Sequence, residues 1–410
     1  MSASATDGSR QRTGTGEQPQ QSGNRPGTDV VAAGRKLQAL IEAEAEMAER
    51  DRQLTPAVVD ALSQAGLFRL GFPVEWGGAD LDPISLILAL EAIAAADGSA
   101  GWGVMVASET PLALGGLDPS AAVEILESSN GGLFCGGFAP SGRARRVDGG
   151  VLVSGRWPFV SGCALAGHFV GGCAMLDEHD EPLLNRGGQP VVRQVFVARD
   201  SYSVVDTWSA SGLCATGSHD VVVSDVFVPS HHVANVWSRF RLDAPLFRLP
   251  LTVRLACGKA AVSSGIASHA ITAFRSLAGQ KSPLGSTGLL RERPEAQLAL
   301  AQAEALHRST RAFLLEAVEA VWSDAAAGQE VTDESRAQAR LAASYCSQQA
   351  VTVVDLLQAQ AGMTGIFPSS PLERAARDAR VVREHAWVAA PTITTAGRVL
   401  LGMDAASLFF

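Results

Sequence analysis

Hydrophobic positions recur along the chain with two different periods, and the change of period divides it into blocks. From Val30 to about Ser128, apolar residues return every three or four positions, with Leu37, Leu40 and Ile41 marking one helical face. Thr55-Pro56 is an N-cap and first-turn pair ahead of Val58, Val59 and Leu62, and Gly66 ends that helix. Phe72 to Gly78 is turn-rich, and Ser85 to Ala96 is apolar nearly all round, which predicts a buried helix. From Gly131 to about Val236 the pattern becomes short β-branched runs: Val151-Leu152-Val153, Phe169-Val170, Val195-Phe196-Val197 and Val221-Val222-Val223. Asp148-Gly149-Gly150 signals a hairpin. Helical spacing returns from about Leu249 to Leu401, with Pro294 at a first-turn position and further helices over Arg336 to Gln360 and Leu372 to Val382. The expected fold class is α+β: an N-terminal helical domain (residues 30–128), a central antiparallel β-barrel or sandwich (129–240) and a C-terminal four-helix bundle (241–410).

Residues 1–29 hold no large aliphatic or aromatic residue after Met1. Such a segment buries too little apolar surface to offset its ordering entropy, so a disordered tail is expected. It lacks the apolar stretch of a signal peptide.

Composition narrows the function classes. The 410 residues carry a net charge of −9, with no basic stripe interleaved with aromatics, which argues against nucleic acid. No apolar run is long enough to span a bilayer, so a cytoplasmic protein without a membrane partner is expected. Cys135, Cys163, Cys173, Cys214, Cys257 and Cys346 show no C-x-x-C spacing and are read as reduced thiols. His231 and His232 look like a metal pair, but no third ligand lies at helical spacing, so no metal site is expected.

Five segments, in order, resemble the acyl-CoA dehydrogenase superfamily from about Val30 to Leu401. They are Pro73-Val74-Glu75-Trp76-Gly77-Gly78, Ser154 to Gly162, Asp206 to Asp220, Val226-Phe227-Val228-Pro229, and Pro371-Leu372-Glu373-Arg374 with Arg377-Asp378. Within it the chain is more similar to the two-component flavin-dependent monooxygenases, which share Gly155-Arg156-Trp157 with Ser161-Gly162, Ala215 to Asp220, and a C-terminal His, here His385. Aligned on Arg377-Asp378, the dehydrogenase base position is Ala386, with Glu384 nearby, and a base on another helix stays open. The segments that hold the ADP half of FAD are degraded around Arg275 to Leu284 and Gln358 to Met363. One departure from the branch is Ala107-Ser108-Glu109, where several relatives place a second His.

The resemblance implies an oxygenase component that takes reduced FMN or FAD from a separate NAD(P)H-dependent flavin reductase. It would use O2 to hydroxylate a small organic or natural-product substrate through a C4a-(hydro)peroxyflavin, as a homotetramer. An FAD-dependent acyl-CoA or acyl-carrier dehydrogenase and a non-catalytic scaffold are the alternatives. The implied catalytic residues are Ser161, for a hydrogen bond to flavin or peroxide, and His385, to take a substrate proton or bond the peroxide. The implied cofactor-binding residues are Trp157, Phe159, Val160, Ser161, Gly217 and Ser218. The plainer readings are a Ser in a β-turn, a capping His and ordinary β-domain core. Glu373, Arg374, Arg377 and Asp378 are read as structural salt bridges.

Overall fold

The computed structural model describes residues 26–129, 133–236, 245–407 and 410. Five helices come first: α1 (Pro26–Asp51), α2 (Pro56–Gln64), α3 (Pro83–Ala94), α4 (Gly98–Glu109) and α5 (Pro119–Ser128). The expected cap at Thr55 is present, and Asp82 and Asp97 cap two further helices. Thr55 Oγ1 accepts from Val58 N–H at 3.4 Å, Asp82 from Ser85 N–H at 2.9 Å, and Asp97 from Ala100 N–H at 2.9 Å. Helix α1 begins within the expected tail, so Pro26–Asp29 are helical. Asp29 in the first turn complements the positive end of the helix dipole. Residues 1–25 of that tail lie outside the described residues.

Seven strands follow: β1 (Phe134–Val147), β2 (Gly150–Val160), β3 (His168–Leu176), β4 (Val192–Ala198), β5 (Ser203–Val205), β6 (His219–Pro229) and β7 (Val233–Ala234). They form one sheet in the order β5-β6-β2-β1-β3-β4-β7. The expectation of an all-antiparallel domain is corrected here, because β1 and β3 run parallel and the sheet is mixed. β1 and β2 make the expected hairpin, with Gly149 at φ 75° in its turn. β2 thereby carries the chain back, and β3 pairs with the free edge of β1 rather than with β2. A period of two fixes which face a side chain takes, not which edge a strand joins.

The last block holds a short helix α6 (Pro245–Arg248), then α7 (Leu251–Gln280), α8 (Pro294–Ala326), α9 (Asp333–Ala361) and α10 (Pro371–Arg383) as a four-helix bundle, with α11 (Ala390–Leu400) laid on α9. The first and last helical blocks share one core, running from Ile41 and Val58 through Ile93 to Val262, Phe274 and Val354. Small residues bring α3, α4 and α7 together. A Cβ on either Gly101 or Gly265 would lie 2.5 Å from Ala94 Cβ. Phe72, Leu114, Phe134, Val170 and Phe196 form a separate seam between helices and sheet. No helix among the described residues is long and apolar enough to cross a membrane.

The charged turns of α10 fasten these layers. Arg377 donates to Glu373 at 2.7 and 2.8 Å, to Glu49 of α1, and to the Ser211 carbonyl at 2.6 Å. Asp378, buried, accepts from Leu213 N–H at 2.6 Å. These groups act as structural ties between bundle, first helix and sheet.

Candidate active site

The turn that ends β2 meets the turn before β6 at a chain of hydroxyls. Trp102 of α4 donates its indole N–H to Ser161 Oγ at 2.9 Å, and Ser161 and Ser218 share a hydrogen bond of 2.7 Å. Ser218 and Thr216 share another of 2.7 Å, and Thr216 donates to the Leu213 carbonyl at 2.7 Å. All four side chains are buried. The direction of the protons follows from the ends of the chain. A carbonyl only accepts, so Thr216 spends its proton on Leu213. Ser218 must then donate to Thr216, and Ser161 to Ser218. Ser161 already receives the indole N–H, so what it has left is an acceptor lone pair.

The other sequence-predicted residues separate by burial. Phe159 is 72% exposed and holds φ +61°, the left-handed region that a bulky side chain rarely adopts. It meets Trp208 edge-on at 6.4 Å, giving an aromatic ledge. Trp157 lies elsewhere: it is 1% exposed, donates to the Gly172 carbonyl at 2.8 Å and packs on Phe169. Expected beside a flavin, it is instead core of the sheet and has no surface to offer a ring. Val160 is likewise buried, among the sheet residues that include Val153 and Val221. Gly217 takes φ +52°, and a Cβ there would meet the Arg52 carbonyl at 3.0 Å. His219 accepts from the backbone N–H groups of Thr207 and Trp208 at 3.2 Å each, a structural role.

His385 stands in the turn between α10 and α11, its ring 5.3 Å from Trp102. Gln348 of α9 supports that turn by donating to the Val388 carbonyl at 3.3 Å. Burial, with the Lys259 ammonium as a second cause, pushes the imidazole down to about 3, so it is neutral at physiological pH. Its Nδ1 accepts from Trp387 N–H at 3.3 Å, which leaves the ring proton on Nε2. Lys259 of α7 is buried and hydrogen-bonded to Glu109, at the end of α4. Burial raises the Glu109 carboxyl while Lys259 opposes the rise, and its Oε1 has no hydrogen-bond partner.

Ser161 lines a mostly apolar cleft whose other walls include Leu54, Phe68, Val106, Leu133, Phe134 and Leu165. The group this region suits is a planar heteroaromatic. An exposed aromatic ledge is available for its face, an unsatisfied hydroxyl acceptor for a ring N–H, and a neutral imidazole N–H for an acceptor edge. A flavin meets those requirements.

The family model for the N-terminal domain of acyl-CoA dehydrogenases matches residues 32–116, and that for their C-terminal domain matches residues 257–390. An indole-3-acetate monooxygenase from Pseudomonas putida is 32% identical, over 91% of this chain and 95% of its own length. The oxygenase subunit HsaA, a flavin-dependent monooxygenase from Rhodococcus jostii, is 29% identical over 86% of this chain and 93% of its own. The crystal structure of a 3-HSA hydroxylase from Rhodococcus superimposes with a TM-score of 0.84 at 27% identity, covering 93% of this chain and 99% of that one. The chain is a flavin-dependent monooxygenase of the acyl-CoA dehydrogenase family. This monooxygenase has no proton-abstracting carboxylate where many dehydrogenases carry one. Ala386 is exposed, and Glu384 points outward to pair with Arg383 at 2.8 Å.

Two residues of the region escaped sequence reasoning. Trp102 sits in an apolar helix, where its one signal was an indole N–H that a buried position must satisfy. Lys259 sits among small residues of α7, and a lysine in so apolar a run was the available clue.

Proposed function

We propose that this monooxygenase hydroxylates a small aromatic acid of the arylacetate kind, as the oxygenase component of a pair whose separate NAD(P)H-dependent reductase supplies reduced flavin. Bound reduced flavin supplies the activation of O2. The protein's own residues hold and orient. Ser161 would accept from a ring N–H, and a reduced flavin carries such a donor at N5, where the oxidised ring carries a bare acceptor. Gly217 and Ser218 would contribute through the turn that fixes Ser161, and Phe159 would flank the ring. His385 would offer an Nε2–H donor toward the reacting centre, and the apolar walls of the cleft would exclude water.

The reading of the substrate class starts from the indole-3-acetate in the name of the Pseudomonas relative. Buried Lys259, hydrogen-bonded to Glu109, is a cation that bears on His385, and a substrate carboxylate brought to this place would meet that ammonium. The test is turnover of indole-3-acetate, indole-3-acetamide and 3-methylindole with reduced FMN and with reduced FAD. An acid preference of roughly ten-fold or more in kcat/KM is expected, the scale of one charge-assisted contact. Equal turnover of acid and amide would refute the acid reading and leave the monooxygenase assignment standing.

A homotetramer is part of the same proposal. Leu284, Met363, Ile366 and Phe367 are exposed in two loops, which Lys281 ties together by donating to the Ala361 carbonyl and Thr364. Large apolar side chains gathered in this way suit a subunit contact.

A further inference from the structure

The helix α5 and the short turn between β6 and β7 bring together three ligating side chains far apart in sequence. His231 and His232 lie in the single turn Ser230–His232, and Glu124 lies on α5. His231 Nε2 stands 3.4 Å from Glu124 Oε2, and His232 Nε2 stands 3.3 Å from Glu124 Oε1. All three ligand atoms lie within 4.8 Å of one another. The two His had lacked a third ligand at helical spacing. The fold supplies it from another element.

The separations exceed those of ordinary hydrogen bonds, which cluster at about 2.7–3.2 Å for N–H···O. His232 Nε2 is buried and has no hydrogen-bond partner. Donor atoms on a tetrahedron around an ion, each bonded at about 2.0–2.1 Å, stand roughly 3.3–3.4 Å apart. The two imidazoles are also held by the backbone. Ser230 donates both its N–H and its hydroxyl to the Gly149 carbonyl, at 3.1 and 3.0 Å, pinning the turn to the β1–β2 hairpin. Buried Ala121, Ala122 and Ile125 pin α5. The side chains of Glu124 and His231 are half exposed, so an ion can enter.

We propose that Glu124, His231 and His232 form a binding site for a divalent transition-metal ion of the zinc class, distinct from the flavin region. Two neutral imidazoles and one carboxylate suit Zn2+, Co2+ or Ni2+ and leave a fourth position for water. The bound ion fastens α5 to the β6–β7 turn, which joins a helix to the edge of the sheet. Its role is structural.

The test uses the full, tag-free chain stripped with a chelator, titrated with CoCl2 and followed by visible absorption, then with ZnCl2 by calorimetry. One equivalent of Co2+ is expected to bind with the intense bands of four-coordinate geometry, and Zn2+ is expected to displace it and raise the melting temperature. H231A, H232A and E124Q, each checked by circular dichroism and flavin binding, are expected to lose at least about ten-fold in affinity, the loss typical of removing a contributing group. Absence of stoichiometric binding overturns the proposal. So does binding that persists undiminished in all three variants, which marks an adventitious ion only.

Discussion

Ser161 illustrates how a hydroxyl acquires a direction. Isolated, it both donates and accepts. Between an indole donor and a chain of hydroxyls ending on a carbonyl, it can only accept further. Ser161→Ala is therefore expected to weaken binding of reduced flavin more than oxidised flavin. The loss is one hydrogen bond of about 1 kcal/mol, or roughly five-fold in the ratio of dissociation constants. Anaerobic titration with each redox form checks it, and an equal loss for both forms would contradict the acceptor role. His385 yields a pH prediction. Its folded value of about 3 lies below the ordinary 6.5, so the unfolded chain takes up the proton first as pH falls. The stability this group contributes is full above 6.5 and is lost as pH falls toward 3. The difference in melting temperature between wild type and His385→Asn should be constant above neutrality and shrink on acidification. The activity profile should show no inflection from His385 between about pH 5 and 8.

At the scale of elements, local signals are legible in the sequence and pairings are not. The cap at Thr55, the Gly149 hairpin and the proline starts of α2 and α8 all depend on neighbours a few residues away. The parallel pairing of β1 and β3 depends on which edge was free after the hairpin closed. Trp157 shows the same limit. Its place in a strand was legible, but not that the sheet closes over it, with glycines making the room. A Cβ on Gly142 would stand 2.0 Å from Trp157 Cζ2. Gly142→Ala is expected to cost about 1–3 kcal/mol through overpacking, seen as a lower midpoint in thermal or urea unfolding. A midpoint equal to that of wild type would show that the indole has room to move.

For the whole molecule, the first and last helical blocks are one core. The proposed flavin region lies where that core meets the sheet, so α4, the ends of β2 and β6, and the α10–α11 turn each bring one part. The proposed tetramer makes a prediction at this scale. Light scattering should give a mass near four chains, and replacing Ile366 and Phe367 together by Glu should lower it, because charge at a buried apolar contact is costly. A monomeric wild type would refute the contact.

The sequence alone determined the order helices, strands, helices, the caps and turns, the two halves of the hydroxyl region and the C-terminal His. The order of blocks and the caps and turns follow from periodicity and short-range backbone chemistry, which act within a few residues. The hydroxyl segments, His385 and the missing carboxylate at the dehydrogenase position were implied by the resemblance to the family's motifs. Only the tertiary structure decided the mixed sheet and the burial of Trp157 and Val160. It alone paired Trp102 with Ser161 and Lys259 with Glu109, and set Glu124 beside His231 and His232. The reason is common to all of these. Periodicity says which side of an element is buried, but a partner across the core is chosen by how whole elements pack, and no local pattern carries that information.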